Sequence, residues 1–197
     1  MKRPYIICHM MTSADGRIDC AMTAQLPGVD DYYQTLRELD VPTTVSGRVT
    51  AELEMAEPGS FHAKNDAIYG ETGFSKKADA KGYEIVVDTR GKLLWPDATG
   101  MSKPYLIITS EQVSKEYLDY LDGQNISWIV CGKERIDLAK ACEILATEFG
   151  VERMGIDGTG GMPAVFDGRA MTHGVTGLKL MDVKRFASDA VWIRYRI

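Results

Sequence analysis

The chain has 197 residues, of which 45% are hydrophobic and 26% are charged, and its net charge is −5. This length predicts a single domain over residues 1–197, and this composition is typical of globular rather than disordered proteins. Acidic residues outnumber basic ones by 28 to 23. Because proteins that bind nucleic acid usually present a basic face, we expect no nucleic-acid partner.

The apolar segments of the sequence are short. No apolar run approaches the roughly 18 residues that a membrane span requires. Asp15 also interrupts the apolar stretch near the start of the chain. We therefore predict neither a membrane span nor a signal peptide, and we expect the protein to be cytoplasmic.

Segments with strand and helix character alternate along the chain. Strands are predicted at 5–11, where the strand is expected to be buried, and at 43–46, 83–88, 104–109, 126–131, 151–156, 178–186 and 190–195. Helices are predicted at 30–39, 50–55, 110–121 (with Ser110 as N-cap) and 137–149, and a loop at 61–81. The alternation predicts a three-layer α/β fold whose mostly parallel sheet ends in an antiparallel C-terminal edge.

The cysteines and histidines form no recognisable metal motif. Four cysteines occur without any C-x-x-C pair, at Cys8, Cys20, Cys131 and Cys142. Since Cys8 and Cys131 lie within apolar strand segments, we expect them to be reduced and structural. The histidines are scattered, and the sequence contains no zinc-deaminase, nucleophile-elbow or Walker motif. We therefore predict no metal site.

A polar turn, Thr12-Ser13-Ala14-Asp15-Gly16, follows the first predicted strand. Ligands of open α/β sheets bind beyond the carboxyl ends of the strands, so Asp15 could bind a ligand or transfer a proton. The alternative is an Asx-type turn, in which Asp15 accepts hydrogen bonds from nearby backbone amides and Gly16 adopts a positive φ.

Two further motifs follow later strands. Gly47-Arg48-Val49-Thr50, with Glu54, combines a glycine, a guanidinium and a hydroxyl, which suits a phosphate or a ribose. The alternative is a capped helix with Thr50 near the cap. In Asp88-Thr89-Arg90-Gly91, Arg90 could bind the 2′-phosphate that distinguishes NADPH from NADH, or the segment could be a solvated turn. The glycine-rich segment 155–161 does not match the Rossmann fingerprint and is predicted to be a flexible loop.

In this order, the motifs resemble the reductase domain of riboflavin biosynthesis. The resemblance rests on the turn at 12–16 (S-x-D-G in the family), Leu36-Arg37, the motif at 47–50 with Glu54, the segment 86–91, and the C-terminal segment 178–197 with Trp192-Ile193-Arg194-Tyr195. It covers most of the chain. It implies a dihydrofolate-reductase-like fold and NADPH-dependent reduction of a ribosylamino-pyrimidinone 5′-phosphate or a pterin-like substrate.

The resemblance also implies roles for individual residues. Those expected to contact NADPH are Thr12, Gly47, Arg48, Thr50, Glu54, Thr89, Arg90 and Gly132. Those expected to contact the substrate are Ser13, Asp15 and Arg37, with Asp15 as the candidate proton donor or orienting group. Positioning the nicotinamide against the substrate carbon would then supply most of the rate. The family implies a homodimer, and the missing deaminase motif implies an enzyme that works alone.

Three features depart from the family pattern. Glu54 stands where the family often has an aspartate, and His9 stands where some members have a lysine near the substrate. A helix and a strand, on the order of 30 residues, are also absent between about 155 and 161, judged by ordinary element lengths. Either the protein lacks this stretch, or the printed sequence omits an internal segment. We favour the second explanation, because losing both elements would strip the sheet of a packed layer.

Two other functions are consistent with the same sequence. One is a non-catalytic nucleotide- or flavin-binding protein that has lost turnover together with its cofactor loop. The other is a generic α/β domain with a different ligand, which would not bind NADPH at all. Turnover of NADPH with candidate pyrimidinones distinguishes the reductase hypothesis from both of these alternatives.

We expect the variant Asp15→Asn to lower turnover by roughly tenfold or more while NADPH binding changes little, because the amide cannot supply an acidic proton. Steady-state kcat and a titration of nicotinamide fluorescence measure the two effects separately. Unchanged turnover would make Asp15 a turn residue only.

Overall fold

The computed structural model describes residues 2–13, 25, 27–65, 67–156 and 177–197. The chain divides into two compact units. The first unit comprises Met1–His9 and Val41–Gly161, and the second comprises Met10–Asp40 and Met162–Ile197. The expectation of one domain over residues 1–197 stays a prediction.

The first unit contains seven strands and three helices in the described part of the chain. The strands are β1 (Tyr5–Cys8), β2 (Thr43–Gly47), β3 (Gly73–Ser75), β4 (Glu84–Val87), β5 (Tyr105–Thr109), β6 (Ser127–Val130) and β7 (Arg153–Ile156). The helices are α2 (Arg48–Glu54), α3 (Lys115–Gly123) and α4 (Leu138–Thr147). The second unit contains α1 (Val29–Glu38), β8 (Lys179–Arg185) and β9 (Val191–Arg196).

The seven strands of the first unit form one sheet in the order β1-β7-β2-β4-β5-β6-β3. All neighbouring strands are parallel except β3, which pairs antiparallel with β6. Near-continuous apolar runs such as Ser127–Val130, buried at every position, are typical of parallel strands covered on both faces. The predicted, mostly parallel sheet is therefore confirmed.

Helices pack on both faces of this sheet. Alternating side chains divide β4, β5 and β6 between two layers, because successive residues of a strand point to opposite faces. Val86, Ile107 and Trp128 belong to the layer that includes Ala51 of α2 and Tyr117, Leu118 and Leu121 of α3. Ile85, Leu106, Ile108 and Ile129 belong to the layer that includes Ala141, Ile144 and Leu145 of α4. The unit therefore has the predicted three layers.

The N-termini of the two longer helices of the first unit are fixed by side-chain caps. The Ser114 hydroxyl accepts a hydrogen bond from the Tyr117 amide at 3.2 Å, and the Asp137 carboxylate accepts one from the Lys140 amide at 3.0 Å. These bonds satisfy amides that have no partner within the helix. Helix α3 thus begins at Lys115, and the prediction of a helix from 110 with Ser110 as N-cap was wrong. The Ser110 hydroxyl instead donates to the Thr89 carbonyl.

The second unit contains an antiparallel ribbon beside a helix. Strands β8 and β9 pair over Lys179–Arg185 and Val191–Arg196, which confirms the predicted antiparallel C-terminal pair. Lys184 of the ribbon forms an ion pair with Glu38 of α1 at 3.1 Å, and Ser188, between the strands, is hydrogen bonded to Asp31. Ribbon and helix therefore pack against each other within this unit.

Two other sequence predictions need correction, and a third is not tested. Strand β1 is an edge strand of the described sheet, with Tyr5, Ile6 and Cys8 exposed, so it is not the buried strand that its apolar composition suggested. Segment 61–81 is not a loop throughout, because it contains β3, whose pairing with β6 is a contact between residues distant in sequence. The proposed gap between 155 and 161 falls mostly on residues outside the described ranges, so it stays a prediction.

No helix in the described ranges is both long enough and apolar enough to cross a membrane.

We expect Leu145→Ala in α4 to lower the free energy of unfolding by about 2–5 kcal/mol, because Leu145 is 1% exposed and its removal leaves a cavity. Leu138→Ala on the same helix, at a side chain 60% exposed, should cost less than about 0.5 kcal/mol. Urea denaturation measures both. Similar losses for the two variants would contradict the assigned packing of α4.

Candidate functional site

The carboxyl ends of four parallel strands lie side by side in the first unit. Gly47 of β2 is opposite Val87 of β4, Val87 is opposite Ile108 of β5, and Ile108 is opposite Ile129 of β6. The segments that follow these strands therefore leave the sheet on the same side, along the C-terminal edge of the parallel strands. Open α/β sheets bind their ligands at such an edge.

Backbone hydrogen bonds join neighbouring segments along this edge. The Ser110 amide donates to the Thr89 carbonyl at 3.1 Å, and the Glu111 amide donates to the Gly132 carbonyl at 2.8 Å. The segment after β5 is thus hydrogen bonded to the segments after β4 and β6, its neighbours along the edge. Three of the turns predicted to contact the cofactor, at Gly47, Thr89 and Gly132, begin at this edge.

Polar side chains near the ends of these strands are buried. Ser46, Asp88, Thr109 and Ser110 are each at most 2% exposed. A buried polar group destabilises the fold unless it is hydrogen bonded. The hydroxyls of Thr109 and Ser110 both donate to the Thr89 carbonyl, at 3.0 Å and 2.9 Å. These bonds fix the position of the backbone at Thr89.

Asp88 organises the turn that carries Arg90. Its carboxylate accepts hydrogen bonds from the amides of Lys92 at 2.6 Å and Leu93 at 3.0 Å, and its carbonyl accepts one from the Gly91 amide at 3.2 Å. Since Asp88 is buried, this segment is not the solvated turn considered as an alternative. The sequence pattern did not single out Asp88 itself, although aspartate side chains commonly stabilise turns by accepting hydrogen bonds from nearby backbone amides.

Gly91 gives the same turn close contact with the core. Its φ is +66°, and a Cβ atom added there would lie 2.2 Å from the Tyr117 ring. The Tyr117 hydroxyl donates to the Leu93 carbonyl at 3.0 Å and accepts from the Trp95 indole, and burial raises the pKa of this phenol well above its usual value. The neutral Tyr117 side chain therefore packs against the turn from the core side and hydrogen bonds to its backbone. Arg90 is exposed on it, and no acidic side chain of the described residues forms an ion pair with Arg90.

Helix α2 begins directly after Gly47. Gly47 is the N-cap, in an extended conformation and without a side-chain cap bond, so the alternative with Thr50 near the cap was wrong. The Arg48 guanidinium forms an exposed ion pair with Glu52 at 2.8 Å. Such exposed pairs contribute about 0–1 kcal/mol, so a ligand anion could displace Glu52 with little loss. Thr50 is half-buried, whereas Glu54 is exposed at the other end of the helix.

The turn after β6 requires a glycine at position 132. The φ of Gly132 is +83°, and an added Cβ atom would lie 2.1 Å from the Arg135 carbonyl oxygen. The preceding Cys131 is buried, and this burial, with the nearby Asp137 carboxylate as a smaller cause, raises the pKa of its thiol to about 11. The thiol is therefore neutral near pH 7 and serves as a packed side chain. Cys8, Cys131 and Cys142 are all free thiols, and Cys20 lies outside the described residues.

The residues expected to contact the substrate belong to the second unit. Ser13 is half-buried shortly after β1 in the sequence, and Arg37 is exposed in the last turn of α1. Thr12, which is expected to contact NADPH, lies in the same unit and is exposed. Asp15, the candidate proton donor, lies outside the described residues. Within the described ranges, no group of three or more histidine, cysteine or acidic side chains is placed to hold a metal ion.

Comparisons with known proteins identify the fold. No protein-family model matches the chain, and no curated protein matches it. Several solved structures do match the chain. A pyrimidine reductase-like protein from Corynebacterium diphtheriae is 14% identical, with a TM-score of 0.60 over 98% of this chain and 91% of that chain. A riboflavin biosynthesis reductase from Saccharomyces cerevisiae is 16% identical, with a TM-score of 0.54 over 98% and 90%.

A bifunctional protein from Thermotoga maritima is also similar. It is a diaminohydroxyphosphoribosylaminopyrimidine deaminase and 5-amino-6-(5-phosphoribosylamino)uracil reductase, 12% identical, with a TM-score of 0.59. The match covers 98% of this chain and 56% of that protein. The chain has the fold of these reductases. The resemblance found in the sequence is thereby confirmed at the level of the fold.

We expect Asp88→Ala to lower the free energy of unfolding by about 2–4 kcal/mol, because the amides of Lys92 and Leu93 lose a buried, charged acceptor. Asp97→Ala is the matched control, since the Asp97 carboxylate also accepts from a turn amide, that of Thr99, but is exposed. The control should cost about 1 kcal/mol or less. Equal losses in urea denaturation would contradict the organising role of Asp88.

Proposed function

We propose that this protein is an NADPH-dependent reductase that transfers hydride to a ribosylamino-pyrimidinone 5′-phosphate, or to a pterin-like substrate. The observation that supports this best is the edge of the parallel sheet at which the turns of Gly47, Thr89 and Gly132 begin. The fold, shared with solved pyrimidine reductases, supports the same reaction class. NADPH would supply the hydride, and the protein would supply position and charge.

Arg90 is the proposed ligand of the cofactor 2′-phosphate. It is exposed on a turn whose backbone Asp88 and Gly91 hold in place, and no acidic group of the described residues neutralises it. A guanidinium suits a phosphate because it offers several donors in a planar arrangement. A fixed backbone beneath an uncompensated cation keeps the ordering cost of binding low.

The segment from Gly47 to Thr50 is the proposed neighbour of the cofactor on the adjacent strand. The absence of a side chain at Gly47 allows close approach to the start of α2, and Arg48 and Thr50 supply a cation and a hydroxyl. Thr89, with its carbonyl fixed by three hydrogen bonds, and Gly132 would line the same edge. Glu54 and the backbone at Thr12 complete the proposed cofactor contacts.

The proposed substrate contacts are Ser13, Asp15 and Arg37. Arg37 would contact the substrate, and Asp15 would orient the pyrimidinone or protonate it. The functional form would be a homodimer. These assignments rest on the family resemblance of the sequence.

Turnover tests the proposal directly. Purified protein should oxidise NADPH when a ribosylamino-pyrimidinone 5′-phosphate is added, and the product should carry the reduced ribityl chain. NADPH binding without turnover over a panel of pyrimidinones and pterins would favour the non-catalytic nucleotide-binding protein. If NADPH does not bind, the proposal is wrong.

We expect Arg90→Ala to raise the KM for NADPH roughly tenfold and the KM for NADH much less, because a charge-assisted bond to the 2′-phosphate contributes about 1.5–3 kcal/mol. Steady-state kinetics with both cofactors measures this ratio.

Two comparison variants sharpen this result. Lys92→Ala removes the same charge two residues away in the same turn and should leave the ratio of the two KM values nearly unchanged. Thr50→Ala should raise both KM values alike, because its hydroxyl is not assigned to the 2′-phosphate. Equal effects of Arg90→Ala on NADPH and NADH would remove Arg90 from this role.

A further inference from the structure

His9 continues β1 at the carboxyl end of the strand. The Tyr5 amide donates to the Glu152 carbonyl at 2.7 Å, and the His9 amide donates to the Ile156 carbonyl at 3.1 Å. Both bonds fit the same parallel register between β1 and β7. The hydrogen-bonded pairing of the two strands therefore extends to His9 and fixes its backbone at the end of the sheet.

This end of β1 belongs to the same edge of the sheet as the candidate cofactor site. Cys8 of β1 and Val45 of β2 are both opposite Ile156 of β7. The residues that follow them, His9 and Ser46, therefore lie at the same level of the sheet. Neighbouring strands are about 4.8 Å apart, so the backbones of His9 and Ser46, with β7 between their strands, are roughly 10 Å apart.

The order of the strand ends corresponds to the parts of the proposed cofactor. Arg90, the proposed ligand of the 2′-phosphate, follows β4, and Gly47 ends the adjacent β2. Beyond β2 the sheet continues with β7 and then with β1, where His9 lies. A dinucleotide bound across these strand ends, with its 2′-phosphate at Arg90 and its pyrophosphate near Gly47, would bring its nicotinamide toward the ends of β7 and β1.

His9 is a buried histidine at this edge, with 7% of its surface exposed. His62, by contrast, is exposed, and His173 lies outside the described residues. Two other ionisable groups near the strand ends have different roles. The Asp88 carboxylate accepts hydrogen bonds from backbone amides of its own turn, and burial keeps the Cys131 thiol neutral by raising its pKa to about 11. Histidine is the side chain that most often serves as a general acid or base.

The proposed reaction consumes a proton together with the hydride. When the hydride of NADPH reaches C1′ of the ribosylamino group, the bond between C1′ and the ring oxygen breaks. That oxygen takes up one proton and becomes a hydroxyl of the ribityl chain, while NADPH is oxidised to NADP⁺. A side chain that supplies such a proton in the transition state accelerates the step by about 10²–10⁴-fold.

We propose that the His9 imidazole donates this proton to the ring oxygen of the ribosyl group. The inference rests on the proposed reductase function. Histidine gains and loses a proton near neutral pH, whereas an aspartate such as Asp15 is ordinarily ionised there. Burial shields the donor from bulk water, so its proton passes to the substrate rather than to solvent. After product release, the imidazole regains a proton from water before the next turnover.

Single-turnover kinetics of His9→Gln tests this assignment. The glutamine side chain is polar but has no acidic proton, so the rate of hydride transfer should fall roughly a hundredfold, while the affinity for NADPH, titrated by nicotinamide fluorescence, should change little. His62→Gln, the same substitution at an exposed histidine, is the matched control and should keep the wild-type rate. A wild-type rate in His9→Gln, or a loss of rate that follows an equal loss of NADPH affinity, would overturn the proposal.

Rescue by free imidazole separates proton donation from a structural role, and it decides the case if His9→Gln does not fold. His9→Ala removes the ring, so imidazole added to the buffer should raise its rate of hydride transfer roughly tenfold and leave wild type and His62→Ala unchanged. Absence of rescue would contradict the proposal. Wild type that binds NADPH without turnover overturns the reductase assignment and this inference together, whereas an active wild type with an unaffected His9→Gln overturns the inference alone.

Discussion

Between β2, β4, β5 and β6, parallel pairing aligns Gly47 with Val87 and Val87 with Ile108. The parts of the candidate cofactor site that lie in the first unit depend on this alignment. The segments after the strands leave the sheet at one level, so the amides of Ser110 and Glu111 reach the carbonyls of the neighbouring segments. A shift of one residue would exchange the two packed layers and break these bonds, so both cores enforce the register.

The edge combines a buried, hydrogen-bonded interior with exposed tips. Buried Asp88 and the hydroxyls of Thr109 and Ser110 bond the backbone, while Arg90 extends into solvent from the turn that they hold. A ligand that binds such turns does not have to order them, which preserves binding free energy. The division also explains why substitutions at Asp88 and at Arg90 should differ: the first acts on stability and the second on recognition.

The sequence predicted the parts of the fold that depend on local patterns. Continuous apolar runs identified β4, β5 and β6, and apolar helical spacing identified α4. Strand β3 was missed because three residues with polar neighbours show no periodicity, and only tertiary pairing with β6 makes them a strand. Ser110 was mistaken for a cap because a local pattern cannot show that its hydroxyl bonds Thr89, 21 residues away in sequence. The turns of the candidate site were found, but the buried carboxylate of Asp88 that shapes one of them was not.

The most direct test of the central claim is a crystal structure of this protein soaked with NADPH. We expect the cofactor to lie along the edge formed by the ends of β2, β4, β5 and β6, with its 2′-phosphate hydrogen bonded to Arg90 and its pyrophosphate passing near Gly47 and Gly132. A cofactor bound elsewhere, or an edge that stays empty at saturating NADPH, would contradict it.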